Sequence, residues 1–263
     1  ATAQMKADIV GLRLGMDVNE TVAAIKANAP TAQVTVLKER MPKPINTEFD
    51  ALVVAATGTG NFQQREAEMI MVSFSEPPSA PRAIDIHRVQ HFGEGAQPLM
   101  GAVISAIKRK YGEPNEERSG LATNRMMTWR ASANGQPVPS QVMSGGLCTL
   151  PTDTSSKRAL MTMKSLLEDH RRSGAGAIRP GPTSGALDPR CGFSLAAFVR
   201  STQDRAKPDT YFVDSIAVRL TDLVTLAKDH KEVTSLLNGT HEIHKRTAAE
   251  AEQKAATRPA PKF

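Results

Sequence analysis

Aromatic side chains are scarce in this chain: Phe, Trp and Tyr together make up 4% of its 263 residues. That excludes a core built on rings and leaves Val, Ile, Leu, Met and Ala to fill it. The 11 methionines suit the task, because Met fills irregular gaps. The same scarcity argues against the stacking platforms used to bind single-stranded nucleic acid. Long apolar runs are also missing, and none approaches the roughly 20 residues of a membrane-spanning helix. Cysteine is nearly absent. Its two residues allow one intrachain pairing.

What is present is ordinary for a globular protein: 40% hydrophobic and 23% charged residues, in a chain long enough to bury a core. The net charge of +6 suits an anionic partner such as nucleic acid or a lipid surface. The positive residues are scattered, however, and Lys108-Arg109-Lys110 and Arg171-Arg172 fall where helices are expected to end. There they complement the helix dipole. The start at Ala1-Thr2-Ala3-Gln4, without Met, fits removal of a signal peptide and fits simple Met removal equally.

Cys148 follows Gly145-Gly146-Leu147, and Cys191 stands between Arg190 and Gly192, each where a loop enters an apolar run. Exported proteins use such pairs as staples, and cytosolic ones rarely do. In the chain-entropy model a loop of this length closed by a disulfide stabilises the fold by about 3–5 kcal/mol. A metal site would want further ligands at short spacing, which neither cysteine has. A catalytic thiol and two inert buried thiols remain as alternatives.

Asp17 and Glu20 form a capping box, Val18, Val22 and Ile25 recur at helical spacing, and Pro30 stops the segment, so a helix is expected over 17–28. Strands follow around Val34 and Val36, over 52–56 into a Gly58/Gly60 turn, over 69–74 before Pro77-Pro78, and over 83–92. Such short runs bounded by Gly and Pro read as an antiparallel meander. A second helix is expected from Pro98, with Met100, Val103, Ile104, Ile107 and Tyr111 on one stripe and Gly112 and Pro114 at its end. A strand over 125–129 then meets an Asn134-Gly135 turn.

Residues 152–172 read equally as helix or strand, and 173–189 as a surface loop. Strands over 193–199 and 211–220 are expected to pair as a hairpin, with Phe212, Ile216, Val218 and Leu220 on one face. A last helix starts near Asp222 with Leu223, Leu226, His230, Val233 and Leu237 on one side. Asn238-Gly239 is expected to interrupt it before a charged, Ala-rich tail.

The string Gly11-Leu12-Arg13-Leu14-Gly15-Met16, with its capped helix and proline stop, resembles the opening of two envelope families. These are the SmpA/OmlA-like outer-membrane assembly lipoproteins and the β-lactamase-inhibitor-like proteins. Lys110-Tyr111-Gly112-Glu113-Pro114 resembles the helix exit in those modules. The resemblance covers the first half of the chain. It implies a helix packed on an antiparallel sheet in an envelope protein that binds other proteins, and it carries over no active-site residue. The inhibitor-like proteins are tandem copies, and here two helix-plus-strand units recur at a spacing of roughly 80 residues.

Chemistry-bearing patterns are few. On a strand His87 and His91 share a face but stand about 13 Å apart, too far for one metal; surface or edge histidines are the expectation. His241-Glu242-Ile243-His244 falls short of the zincin His-Glu-x-x-His, His230 reads as a boundary histidine, and His170 sits in a charge cluster. Gly58-Thr59-Gly60-Asn61 lacks the ending of a phosphate loop, and no Gly-x-Ser-x-Gly elbow occurs. Asp85 and Asp214 lie in strand-like runs whose convergence is open.

These readings combine into an α+β fold: antiparallel β-meanders packed against a few amphipathic helices, two tandem helix-plus-sheet units and a C-terminal helix. Residues 1–135 are expected to form the tandem helix-plus-meander region. Residues 136–240 form a C-terminal α+β region with the Cys148–Cys191 staple, and 241–263 a charged tail. The expected function is non-catalytic: an exported, periplasmic or secreted protein-binding or accessory subunit of a cell-envelope assembly. Its expected partners are other envelope proteins, with no cofactor, metal or nucleic acid. The rivals are a hydrolase using Cys148 or paired carboxylates, and a basic protein held on nucleic acid or anionic lipid.

Overall fold

A computed structural model describes residues 7–41, 46–57, 67–119, 124–138 and 191–256. Among these, three helices and eight strands follow one another as two similar units. The first is helix α1 (Val18–Asn28), β1 (Gln33–Arg40), β2 (Glu48–Thr57), β3 (Ala67–Phe74) and β4 (Ala83–His91). The second is α2 (Met100–Tyr111), β5 (Glu116–Ser119), β6 (Asn124–Ala131), β7 (Phe193–Gln203) and β8 (Tyr211–Asp222). A helix of 34 residues, α3 (Leu223–Ala256), ends the described chain.

Each unit is a four-stranded antiparallel meander, and their last strands join edge to edge in one sheet of order β1-β2-β3-β4-β8-β7-β6-β5. The α+β class and its antiparallel meanders are therefore as the sequence implies. The sheet runs across residues 135 and 136, since β6 pairs with β7. Both last strands carry a bulge, with Ile84 the extra residue of β4 and Asp214 that of β8. Just ahead of each bulge the strand accepts the segment that leads into its unit's helix. Ala83 N–H donates to Met16 O, and Val213 N–H to Pro98 O, both at 2.8 Å. This repeated detail relates the two units more closely than helix spacing alone.

Helix α1 begins where the capping box places it: Glu20 N–H donates to Asp17 Oδ1 and Asp17 N–H to Glu20 Oε2, both at 2.9 Å. Helix α2 starts at Met100 rather than at Pro98, because the Pro98 carbonyl is already committed to Val213. Gly112, with φ +83°, ends α2 in a conformation that disfavours other residues. The Asn134-Gly135 turn forms, with Gly135 at φ +79° and its N–H donating to Ser132 O.

The core lies between the sheet and the helices α1 and α2. Register puts Val53, Val72, Ile86, Leu220, Leu195 and Trp129 in one row across six strands, all buried. Ile25 of α1 and Val103 and Ile107 of α2 close over it. Phe212 does not share a face with Ile216, Val218 and Leu220. The bulge at Asp214 flips the alternation, so that Val213 enters this core in its place.

Asn238-Gly239 does not interrupt α3, which continues through both residues to Ala256. A helical glycine costs about 1 kcal/mol relative to Ala, which weakens a helix without ending it. Cys148, Gly58, Gly60, His170, Arg171, Arg172 and the stretches 152–172 and 173–189 lie outside the described residues.

Candidate functional site

The sheet's second face divides in two. Over β2 and β3 it is apolar, with Leu52, Val54, Met69 and Met71 buried together. Over the centre and the second unit it is polar. One row runs Arg130, Ser194, Thr221, Asp85, Ser73; the next runs Glu116, Thr128, Ala196, Arg219, His87, Met71. All of these polar residues except Glu116 are buried. The sequence gives little warning of this, because a strand with buried polar residues on one face still alternates like a half-exposed one.

At the centre Asp85 Oδ1 accepts from Arg219 Nε at 2.8 Å and from the Thr221 hydroxyl. Their side chains are 4% and 10% exposed, so this is a buried ion pair with a hydroxyl completing it. Toward the edge, Arg130 Nη1 donates to Glu116 Oε2 at 3.2 Å, and the Arg130 side chain is 6% exposed. Burial lowers the basicity of this guanidinium; Glu116 works against that, and Arg118 adds to it. Among the described residues, the buried Arg130 Nε has no hydrogen-bond partner.

His87 and His91 do lie on one strand and one face, but not at a surface or edge. They occupy β4, between β3 and β8, at 4% and 8% exposure. Asp85 and Asp214 do not converge. Seven residues of β8 separate their levels, about 23 Å of extended chain. Asp214 instead accepts from Gln97 Nε2 at 2.8 Å and Thr202 Oγ1 at 2.7 Å, which secures the bulge. Cys191 is 3% exposed just ahead of β7. His230, His241 and His244 fall on α3, with side chains outside the described residues.

Helix α3 is the second feature of note. Asp222 caps it through Thr225 N–H at 2.9 Å and Thr225 Oγ1 at 2.7 Å. Leu223 is 1% exposed, and Asp229 accepts from Glu76 N–H at 3.2 Å and Ser79 Oγ at 3.4 Å. These contacts fix the first two turns to the β3–β4 loop. Further along, Lys231, Ser235, Gly239, Glu242 and all six residues over 245–250 are exposed. No helix among the described residues is long and apolar enough to cross a membrane.

Desolvation raises the Asp229 carboxyl above its usual range, against the two hydrogen bonds that favour its charge. A carboxyl that is harder to ionise folded than unfolded stabilises most below its unfolded value of 3.8. That contribution is lost as pH rises through the higher folded value. Asp229→Asn keeps an acceptor and removes the titration. Denaturant unfolding from pH 4 to 8 should therefore show stability declining less with pH in the variant; identical slopes would exclude the effect.

No family model matches the chain, and no curated protein or solved structure matches it.

Proposed function

We propose that this chain is an exported, non-catalytic protein-binding subunit of a cell-envelope assembly, and that the distal part of α3 is its binding element. The observation that carries the reading is the run of six exposed residues over 245–250. Six residues cover nearly two turns, so among the described residues no side of the helix is packed there. Isolated helix is marginal in water, because its stability in proteins comes mainly from a packed face. A partner helix or groove supplies that face.

Export rests on the cysteines. Cys191 is buried, and Cys148 is the one other cysteine in the chain; their pairing as a disulfide belongs to an oxidising compartment. Alkylation of the native protein with and without reduction tests it, and two thiols alkylated before reduction would remove the basis for export. For binding, the full chain and a chain ending at Ser235 are compared as bait in envelope extract. A stoichiometric partner retained by the full chain should be lost by the shorter one. Equal retention by both would exclude α3 as the element.

A further inference from the structure

We propose that Arg130 anchors a site for a small oxyanion, a phosphate or carboxylate group, on the second face of the sheet. Two observations meet there. Glu116 serves two guanidiniums at once, Arg118 Nε through Oε1 and Arg130 Nη1 through Oε2. Among the described residues, one carboxylate against two arginines leaves an excess positive charge, half of it on a side chain that is 6% exposed. The nearest further carboxylate along β5, Glu117, is engaged by Lys108 on α2 at 3.0 Å.

The second observation is geometric. Arg130 gives Nη1 to Glu116, while its buried Nε has no acceptor among the described residues. Buried donors in native proteins are almost always satisfied, and an exception calls for a water or an ion. A guanidinium fork matches two oxygens of one group, which favours an oxyanion over a neutral acceptor. Ser194 stands directly across from Arg130 on β7, and Thr128 two residues back on the same face. Both are buried, at 7% and 5% exposure, and both carry hydroxyl groups. Directly paired strand residues hold their Cβ atoms about 5 Å apart, which puts the Ser194 hydroxyl near the base of the Arg130 side chain.

The site is separate from the distal end of α3 and stands whether or not that helix binds a partner. Thermal unfolding of the full chain is followed against sodium phosphate, sodium acetate and sodium chloride at matched ionic strength. A saturable rise in Tm with phosphate or acetate beyond chloride is expected, and which anion gives it identifies the phosphoryl or carboxylate class. Arg130→Lys keeps the charge but not the fork, and should weaken the response about tenfold or more. Ser194→Ala should weaken it several-fold and covers the case in which the lysine variant fails to fold. Arg118→Gln removes the excess charge but leaves the fork, and should weaken the response less than Arg130→Lys does. No saturable response to either anion would mean that water satisfies Nε. An undiminished response in Arg130→Lys or Ser194→Ala would place the anion elsewhere. Either result overturns the proposal.

Discussion

Gly192→Ala should destabilise the protein by about 3 kcal/mol or more, or prevent folding. A Cβ at this position would stand 2.2 Å from Ser132 C and 2.3 Å from Ala133 N, both backbone atoms that cannot swing aside. Three elements meet at this residue. Gly192 N–H donates to Ala131 O at 2.7 Å at the end of β6, and Leu223 N–H, opening α3, donates to Gly192 O at 2.9 Å. Relieving the clash therefore pulls β7 away from β6 and loosens the root of α3 together. Gly101→Ala is the control. That glycine lies exposed in α2 with open space around it, and alanine there should stabilise by about 0.5–1 kcal/mol. Denaturant unfolding of both variants checks the pair, and effects of the same sign would refute the geometry.

Asp85→Ala should cost about 3–5 kcal/mol, because it takes the carboxylate from a buried guanidinium. Arg219 and Thr221 both donate to the same Asp85 oxygen, so one substitution removes two bonds. The ion pair itself need not be a net source of stability, since desolving both charges offsets much of their attraction. Asp85→Leu combined with Arg219→Met should therefore lose less than Asp85→Ala alone. Equilibrium unfolding of the single and double variants measures this coupling. Additive losses would show that the two side chains act independently.

Much of the architecture was legible because local and global signals agree. Asp17 and Glu20 announce the start of α1, and the observed cap uses both side chains. Gly112 ends α2 as expected, and the paired strands around Val34, Leu52, Met69 and Ile86 stand where the apolar runs put them. What was not legible depends on contacts distant in sequence. The bulge at Asp214 turns Phe212 away from the core, and Gln97 and Thr202 hold it. The continuity of α3 through Gly239 reflects a glycine cost too small to end a helix. Central burial of His87 follows from the joining of β4 to β8, separated from it by more than 100 residues. The cluster around Arg130 was equally hidden. Its members look like alternating polar residues of half-exposed strands, and only register places Ser194 beside Arg130.

The same register explains how the two units work as one body. Their edge-to-edge joint buries Ile86 against Leu220 on the helix face and Asp85 against Thr221 on the other. Apolar contact on one side and a polar network on the other leave little freedom to slide, because a one-residue slip would exchange the two faces. The sheet is thus a rigid base for α3, which is held at Leu223 and Asp229 and exposed beyond.

Amide hydrogen exchange along α3 in the isolated protein is the most direct test of that division. Residues 223–231 should be strongly protected, and 245–250 should exchange at least about a hundredfold faster, as helix without a packed face does. Equal protection along the whole helix would mean that the fold already holds its distal part. That outcome would contradict its role as an element waiting for a partner.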